Sequence, residues 1–325
     1  MRQRRNANDD VGSAVVSGEQ QTDNNTGRNE AEGVNIDAAD AVVDKYNMQV
    51  EEVHEASRYT FIYSGYRAAM SRASALKSVF KWHNETMNIW THLAPFLISI
   101  PIMIYVFVVL LEPHGATGME VAMFVIATLG IESVFFCSSL YHTMGCVSYD
   151  CHAFYSKFDY TAIAVKITCG GTPILYTAFY CSPVLQAVYI GLSYLLGTAT
   201  VVVMCYEKYA MPQYLKFRVG LFVGLGACMV VPLIHRSVFM PGFDFAILWN
   251  IVLMGAVFIG GALIYAHRFP ERLFPRLKTR KRRWIDHIGH SHNIFHVCVV
   301  IGGYLLVKIP FNMFESISRA GFLCD

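Results

Sequence analysis

The chain has 325 residues, of which 54% are apolar and 15% charged, against about 25% charged in an ordinary soluble domain. With a mean hydropathy of +0.38, this composition excludes an ordinary soluble protein and marks a membrane protein. The formal charge of +2 carries little by itself, because the placement of the charges matters more than their sum, and no nucleic-acid partner is expected.

The expected organisation is a disordered tail over 1–47, a cytosolic juxtamembrane segment over 48–90, a seven-helix membrane domain over 91–311 and a short tail over 312–325. Met1 to Asn47 is rich in Asn, Asp, Gln, Gly and Ala without a sustained period, the composition of a disordered segment. It holds no short apolar core of a leader, so the first spanning helix is expected to act as the insertion signal. From Val50 to Lys81 aromatic and basic residues accumulate. There, Met70 to Val79 reads either as an amphipathic helix on the bilayer surface or as a short cap against the helix ends.

Seven apolar stretches follow, each near the length that crosses about 30 Å of hydrocarbon. They run from Thr91 to Leu111, Met119 to Leu140, Asp159 to Tyr180, Val184 to Cys205, Phe217 to Ile234, Phe245 to Ala266 and His292 to Ile309. Gly220 with Gly224, and Gly255, Ala256, Gly260 and Gly261, offer small surfaces for close helix approach or else face lipid. Pro173 and Pro232 are expected to kink their helices. The nine cysteines are scattered without a CxxC spacing and read as small hydrophobes rather than a disulfide framework or thiolate metal site.

Orientation follows from the basic residues. The sixth connection carries Arg268, Arg272, Arg276, Lys278, Arg280, Lys281, Arg282 and Arg283 against Glu271 and Asp286. The segment before the first helix carries Arg58, Arg67, Arg72, Lys77 and Lys81. The positive-inside rule places the N-terminus and the even-numbered connections in the cytosol and the C-terminus outside.

On that topology Ser138, His142, Asp159, His292 and His296 all fall near the cytosolic rim. His292 and His296, four apart, share one helix face. With His142 from another helix they form a three-imidazole set with an open fourth position, the pattern of a catalytic zinc site. Asp159 is expected to orient or deprotonate water, with direct ligation as the second reading, and Ser138 to assist in orientation. Such a site suits hydrolysis of a lipid amide or ester whose chains lie between the helices. The alternative is a set of rim histidines satisfied by backbone carbonyls and charged loops. Glu85 reads equally as a salt-bridge partner of Arg67 or Lys81 and as a chemical group. Within the spans, Glu132 and Lys166 are expected to pair, since isolated membrane charges are expensive.

Ordered along the chain stand the motifs Ser64-Gly65-Tyr66-Arg67, His83-Asn84-Glu85-Thr86-Met87-Asn88-Ile89-Trp90-Thr91-His92, Ser138-Ser139-Leu140-Tyr141-His142, Lys157-Phe158-Asp159-Tyr160, Tyr265 to Arg272, and Ser291-His292-Asn293-Ile294-Phe295-His296. Together they resemble the progestin and adipoQ receptor family, which includes adiponectin receptors and haemolysin-III-like proteins. The resemblance implies an all-α, seven-transmembrane bundle with the N-terminus in the cytosol. It also implies zinc held by His142, His292 and His296 with Asp159 beside it, and a lipid-accessible interior with ceramidase-like hydrolysis. Ser-x3-His, Asp and His-x3-His are shared with alkaline ceramidases, while the His83 to His92 run favours the receptor-like branch. Asn293 stands where the family usually has glutamine, and Lys166 where related chains tend to be apolar. The expected functions are a zinc-dependent lipid-amide hydrolase or receptor-hydrolase, a non-catalytic sensor with structural zinc, and, third, a zinc transporter. A lipid ligand and an extracellular or cytosolic protein partner are expected, in a plasma or internal eukaryotic membrane.

Overall fold

The computed structural model describes residues 44–111, 116–240, 245–276 and 283–320. Most of the expected N-terminal tail, the core of the basic connection (277–282) and residues 321–325 lie outside the described residues.

Seven long helices run through the described chain: α1 (Thr86–Tyr105), α2 (Gly118–Met144), α3 (Tyr149–Ala178), α4 (Pro183–Cys205), α5 (Leu215–Phe239), α6 (Phe245–Ala266) and α7 (Ser291–Ala320). Six are long and apolar enough to cross a membrane. The remaining one, α3, spans 30 residues but is diluted by Asp150, Lys157, Asp159 and Lys166.

Local chemistry sets the helix starts. Thr117 and Glu120 form a reciprocal capping box before α2, with Thr117 N–H on Glu120 Oε2 at 2.7 Å and Glu120 N–H on Thr117 Oγ1 at 3.3 Å. Ser148 caps α3 by accepting from Cys151 N–H at 3.2 Å. That cap starts α3 at Tyr149, well before Asp159, because apolarity marks where a helix enters lipid and not where it begins. Pro183 occupies the first turn of α4, where its missing N–H costs nothing. The last helix continues past 311 to Ala320.

The core is built from inward faces: Ile131, Val134 and Phe135 of α2, Ala162 and Ile174 of α3, Leu233 of α5, and Val299 and Leu306 of α7. Outward residues such as Leu97, Ile104, Leu195 and Trp249 are exposed, as a lipid-facing surface requires. Of the small residues singled out above, Gly261 meets α7, where an added Cβ would lie 2.6 Å from Cys298 Cβ, whereas Gly220, Gly224, Gly255 and Gly260 face open space.

The N-terminal segment and the even connections gather at one end of the bundle. Arg67 donates to His142 O, to Thr143 O at 3.0 Å and to Ser78 Oγ at 2.8 Å, closing the carbonyls that the end of α2 leaves open. Asp286 Oδ2 accepts from Ser64 N–H at 3.0 Å and Ser64 Oγ–H at 2.7 Å, and its carboxylate pairs with Arg283. Gly65 sits at φ +81°, and a Cβ there would lie 2.4 Å from His287 Cε1, so both conformation and space demand glycine. The stretch between Met70 and Val79 forms a short helix, Arg72–Lys77, and a 3-10 turn, Ser78–Phe80. Ala75, Ser78 and Val79 are buried and Leu76 and Phe80 exposed, so it serves as a cap with an outward apolar edge.

Two expectations need correction. Glu132 and Lys166 do not pair: Lys166 Nζ reaches Val299 O and the Phe258 ring, and Glu132 Oε2 has no partner. Their helices present them to different neighbours, which depth along the axis could not reveal. Cys181 is disulfide-bonded and is no mere small hydrophobe. It follows α3 at the end of the bundle opposite the cap, the side that charge placement assigns outside the cytosol, where disulfides persist.

Candidate metal centre

His142 comes from the last turn of α2, and His292 and His296 from the first two turns of α7. One ring nitrogen from each lies within 4.8 Å of the other two, and all three residues are buried. The start of α7 is fixed by Glu271, whose carboxylate accepts from Ser291 N–H at 2.7 Å and from Ser291 Oγ–H, a side-chain cap of an otherwise open helix end. Asn293 Nδ2 donates to Asn88 Oδ1 at 2.6 Å. It ties α7 to α1 and leaves the four-residue ligand spacing intact.

The hydrogen bonds set two of the three tautomers. Ionised Glu85 can only accept, so at 2.8 Å from its Oε2 the His142 Nδ1 carries the proton. The lone pair of His142 is then on Nε2. Thr91 spends its single hydroxyl proton on Met87 O at 2.7 Å and Asn88 O at 3.1 Å. Its oxygen, 3.0 Å from His296 Nδ1, therefore accepts from that nitrogen, which leaves the His296 lone pair on Nε2. A neighbour that fixes the protonated nitrogen is the usual support of a ligating histidine.

His142 Nε2 and His292 Nε2 face each other at 3.2 Å. Bonds of about 2.0–2.1 Å to one tetrahedral zinc would place two imidazole nitrogens about 3.3 Å apart. The buried His292 Nδ1 has no partner. Converging neutral nitrogens in a buried place are a donor set that a zinc-like cation fits.

Aromatic rings surround the cluster. Tyr265 and Tyr59 lie against the His292 ring with centroids at 4.6 and 5.8 Å, and Tyr141 against His142 at 4.9 Å. His92 stacks on His296 at 3.9 Å with 3° between planes. Asp159, buried, contacts Ser138, but its carboxylate is outside the three-nitrogen cluster. Burial acts to raise the Glu85 carboxyl, but His142 and Arg67 outweigh it and hold Glu85 well below the usual carboxylate range.

All five expected site residues thus converge at one end. Of the two readings of Glu85, the salt bridge to Arg67 or Lys81 is not made; Glu85 serves His142 and also accepts from Asn88 Nδ2 at 2.6 Å. His92 and Tyr59 were not singled out as site residues. The His-Asn-Glu-Thr-Met-Asn-Ile-Trp-Thr-His run held the available signal, since Glu85, Asn88, Thr91 and His92 recur every three or four residues on one face.

The haemolysin-III-related family model matches residues 80–307, a span that takes in Glu85, His92, Ser138, His142, Asp159, His292 and His296. The chain belongs to the haemolysin-III-related family. Within the comparisons it is 34% identical to the adiponectin receptor protein of Drosophila melanogaster over 254 residues, covering 75% of this chain and 54% of that protein. It is 30% identical to progestin and adipoQ receptor-like protein 1 of Caenorhabditis elegans, covering 75% and 55%. It is 29% identical to heptahelical transmembrane protein 1 of Arabidopsis thaliana, covering 74% and 73%. The matched region is therefore only just over half the length of the fly and worm relatives. As a haemolysin-III-related protein with apolar spanning helices, it is an integral membrane protein.

Proposed function

We propose that this protein is a zinc-dependent hydrolase of lipid amides of the ceramide type, acting in lipid signalling. The observation that carries the reading is the buried set of His142, His292 and His296 nitrogens within 4.8 Å, with a separate carboxylate, Asp159, alongside. His142, His292 and His296 would hold the ion, and Glu85 and Thr91 keep two of them in the ligating tautomer. Zinc bound there supplies Lewis acidity and brings the pKa of water toward about 7.

The remaining work falls to the chain itself. Asp159 accepts a proton from the attacking water as its oxygen bonds to the acyl carbon. The carbon–nitrogen bond then breaks, and the proton held on Asp159 passes to the amine, giving a fatty acid and a free sphingoid base. Ser138, against Asp159, orients that carboxylate or the acyl oxygen. Tyr59, Tyr141 and Tyr265 shield the site from bulk water, and the acyl chains lie among the apolar helix faces.

The test is turnover of a panel of ceramides and other acyl lipids by purified protein, before and after chelation. Metal-dependent release of fatty acid that is lost in His142→Ala and Asp159→Ala, with the fold retained, supports hydrolysis. A second reading, a receptor whose metal only staples α2 to α7, draws on the receptor names of the fly and worm relatives. Metal retention with no turnover across the panel selects it.

A further inference from the structure

The short helix Arg72–Lys77 and the 3-10 turn that continues it, Ser78–Phe80, present two unlike faces. Ala75, Ser78 and Val79 are buried against the bundle. Arg72, Leu76, Lys77 and Phe80 are exposed at the spacing of one outward face, and Lys81 and Trp82 follow them in the open. Leu76 is 53% exposed, Phe80 79% and Trp82 45%, an uncovered apolar edge of the kind that marks an interaction surface. Lys77 and Lys81 stand within it, and among the described residues neither makes an ion pair.

This edge runs into the lipid-facing side of the bundle. Phe80 leans on Trp90 of α1, with 5.8 Å between ring centroids, and Trp90 Nε1–H donates to Val79 O at 2.9 Å. Leu97, seven residues after Trp90, lies two turns further along the same face of α1 and is exposed. Trp82 stacks on His287 at 5.6 Å with 11° between planes, a few residues before α7 begins. The cap end is the end that charge placement assigns to the cytosol. A bilayer interface receives rings and lysines together, the rings below the phosphates and the ammonium groups level with them. The cytosolic leaflet carries the anionic lipids, so Lys77 and Lys81 meet the opposite charge there. We infer that the outward face of residues 72–82 is a docking surface for the cytosolic leaflet, with Leu76, Phe80 and Trp82 among the acyl chains and Lys77 and Lys81 on anionic phospholipid headgroups. A protein partner would have to cover a face that is continuous with the lipid-facing side of α1.

The experiment uses the full-length chain in lipid nanodiscs and has two readouts. The first is the tryptophan emission that Trp82→Phe removes, which lipids brominated just below the headgroup should quench and acrylamide in the water should not. The second is the preference of the protein for spin-labelled phosphatidylserine over phosphatidylcholine at low ionic strength. Replacing Lys77 and Lys81 by Gln should lower that preference by about fivefold for each charge removed, while Lys77→Arg with Lys81→Arg keeps it, all at an unchanged melting temperature. Trp82 emission quenched by acrylamide and not by brominated lipid overturns the inference, because the face then meets water. Emission quenched by neither also overturns it, because protein then covers the ring. A phosphatidylserine preference that survives both glutamine replacements overturns the assignment of the lysines to headgroups.

Discussion

Replacing Glu85 tests how the metal centre is held without touching a ligand. Glu85 Oε2 accepts from His142 Nδ1 at 2.8 Å and from Asn88 Nδ2 at 2.6 Å, and its side chain is 14% exposed while that of His142 is fully buried. In Glu85→Ala the imidazole loses the acceptor that keeps its Nε2 lone pair aimed at the centre, and Asn88 loses its partner as well. Loss of such a supporting carboxylate costs about 10- to 100-fold in metal affinity, or about 1.4–2.8 kcal/mol. Glu85→Gln keeps an oxygen that both donors can reach and removes only the charge, so its loss should be less than about tenfold. Zinc affinity measured by competition with a chromogenic chelator, on protein whose melting temperature is recorded in parallel, checks both values. Unchanged affinity in Glu85→Ala, or a larger loss in Glu85→Gln than in Glu85→Ala, would refute the orienting role.

Other expectations can be checked on the same preparations. Asp159→Asn should abolish turnover yet retain zinc within about threefold, because the carboxylate lies outside the nitrogen cluster; metal analysis alongside the ceramide assay separates the two effects. Asp286→Ala leaves Arg283 buried without its carboxylate and should lower stability by about 3–5 kcal/mol, read as the melting temperature in detergent. Gly65→Ala should also lower that temperature, since its methyl would enter the His287 ring at a backbone angle L-residues avoid. Burial and the neighbouring Arg67 hold His83 down to about 3, below its unfolded value of about 6.5. Between those values the unfolded chain binds more protons, so this contribution is complete above about pH 6.5 and declines as pH falls toward 3. A His83→Asn protein should show a flatter loss of melting temperature between pH 7 and 5.

What could be read from sequence was whatever a helical period and a side of the membrane determine. His292 and His296 declared themselves by spacing, and His142, Asp159 and Ser138 by reaching the same rim once the positive charges were placed. The supports were harder to see. Glu85 lies 57 residues from His142, outside the apolar stretches, and only the packing of α1 on α2 and α7 brings it to the imidazole. His92, at the start of an apolar run, follows Asn88 by one turn, but only the packing of α1 on α7 stacks it on His296. Tyr59 comes from an irregular segment with no period to reveal its direction. Lys166 and Glu132 had plausible depths for a pair, but depth does not fix the direction around a helix axis. Ser148 set the start of α3 through a cap that the apolar count ignored.

The most direct test of the account is the metal content of the purified full-length chain, compared with that of His142→Ala, His292→Ala and His296→Ala proteins that retain the wild-type helical signal. The account predicts about one zinc per chain in the wild type, bound by imidazole nitrogens in its X-ray absorption spectrum, and far less in each variant. A folded, active wild type without stoichiometric metal, or variants that keep it in full, would contradict the claim that α2 and α7 share one ion.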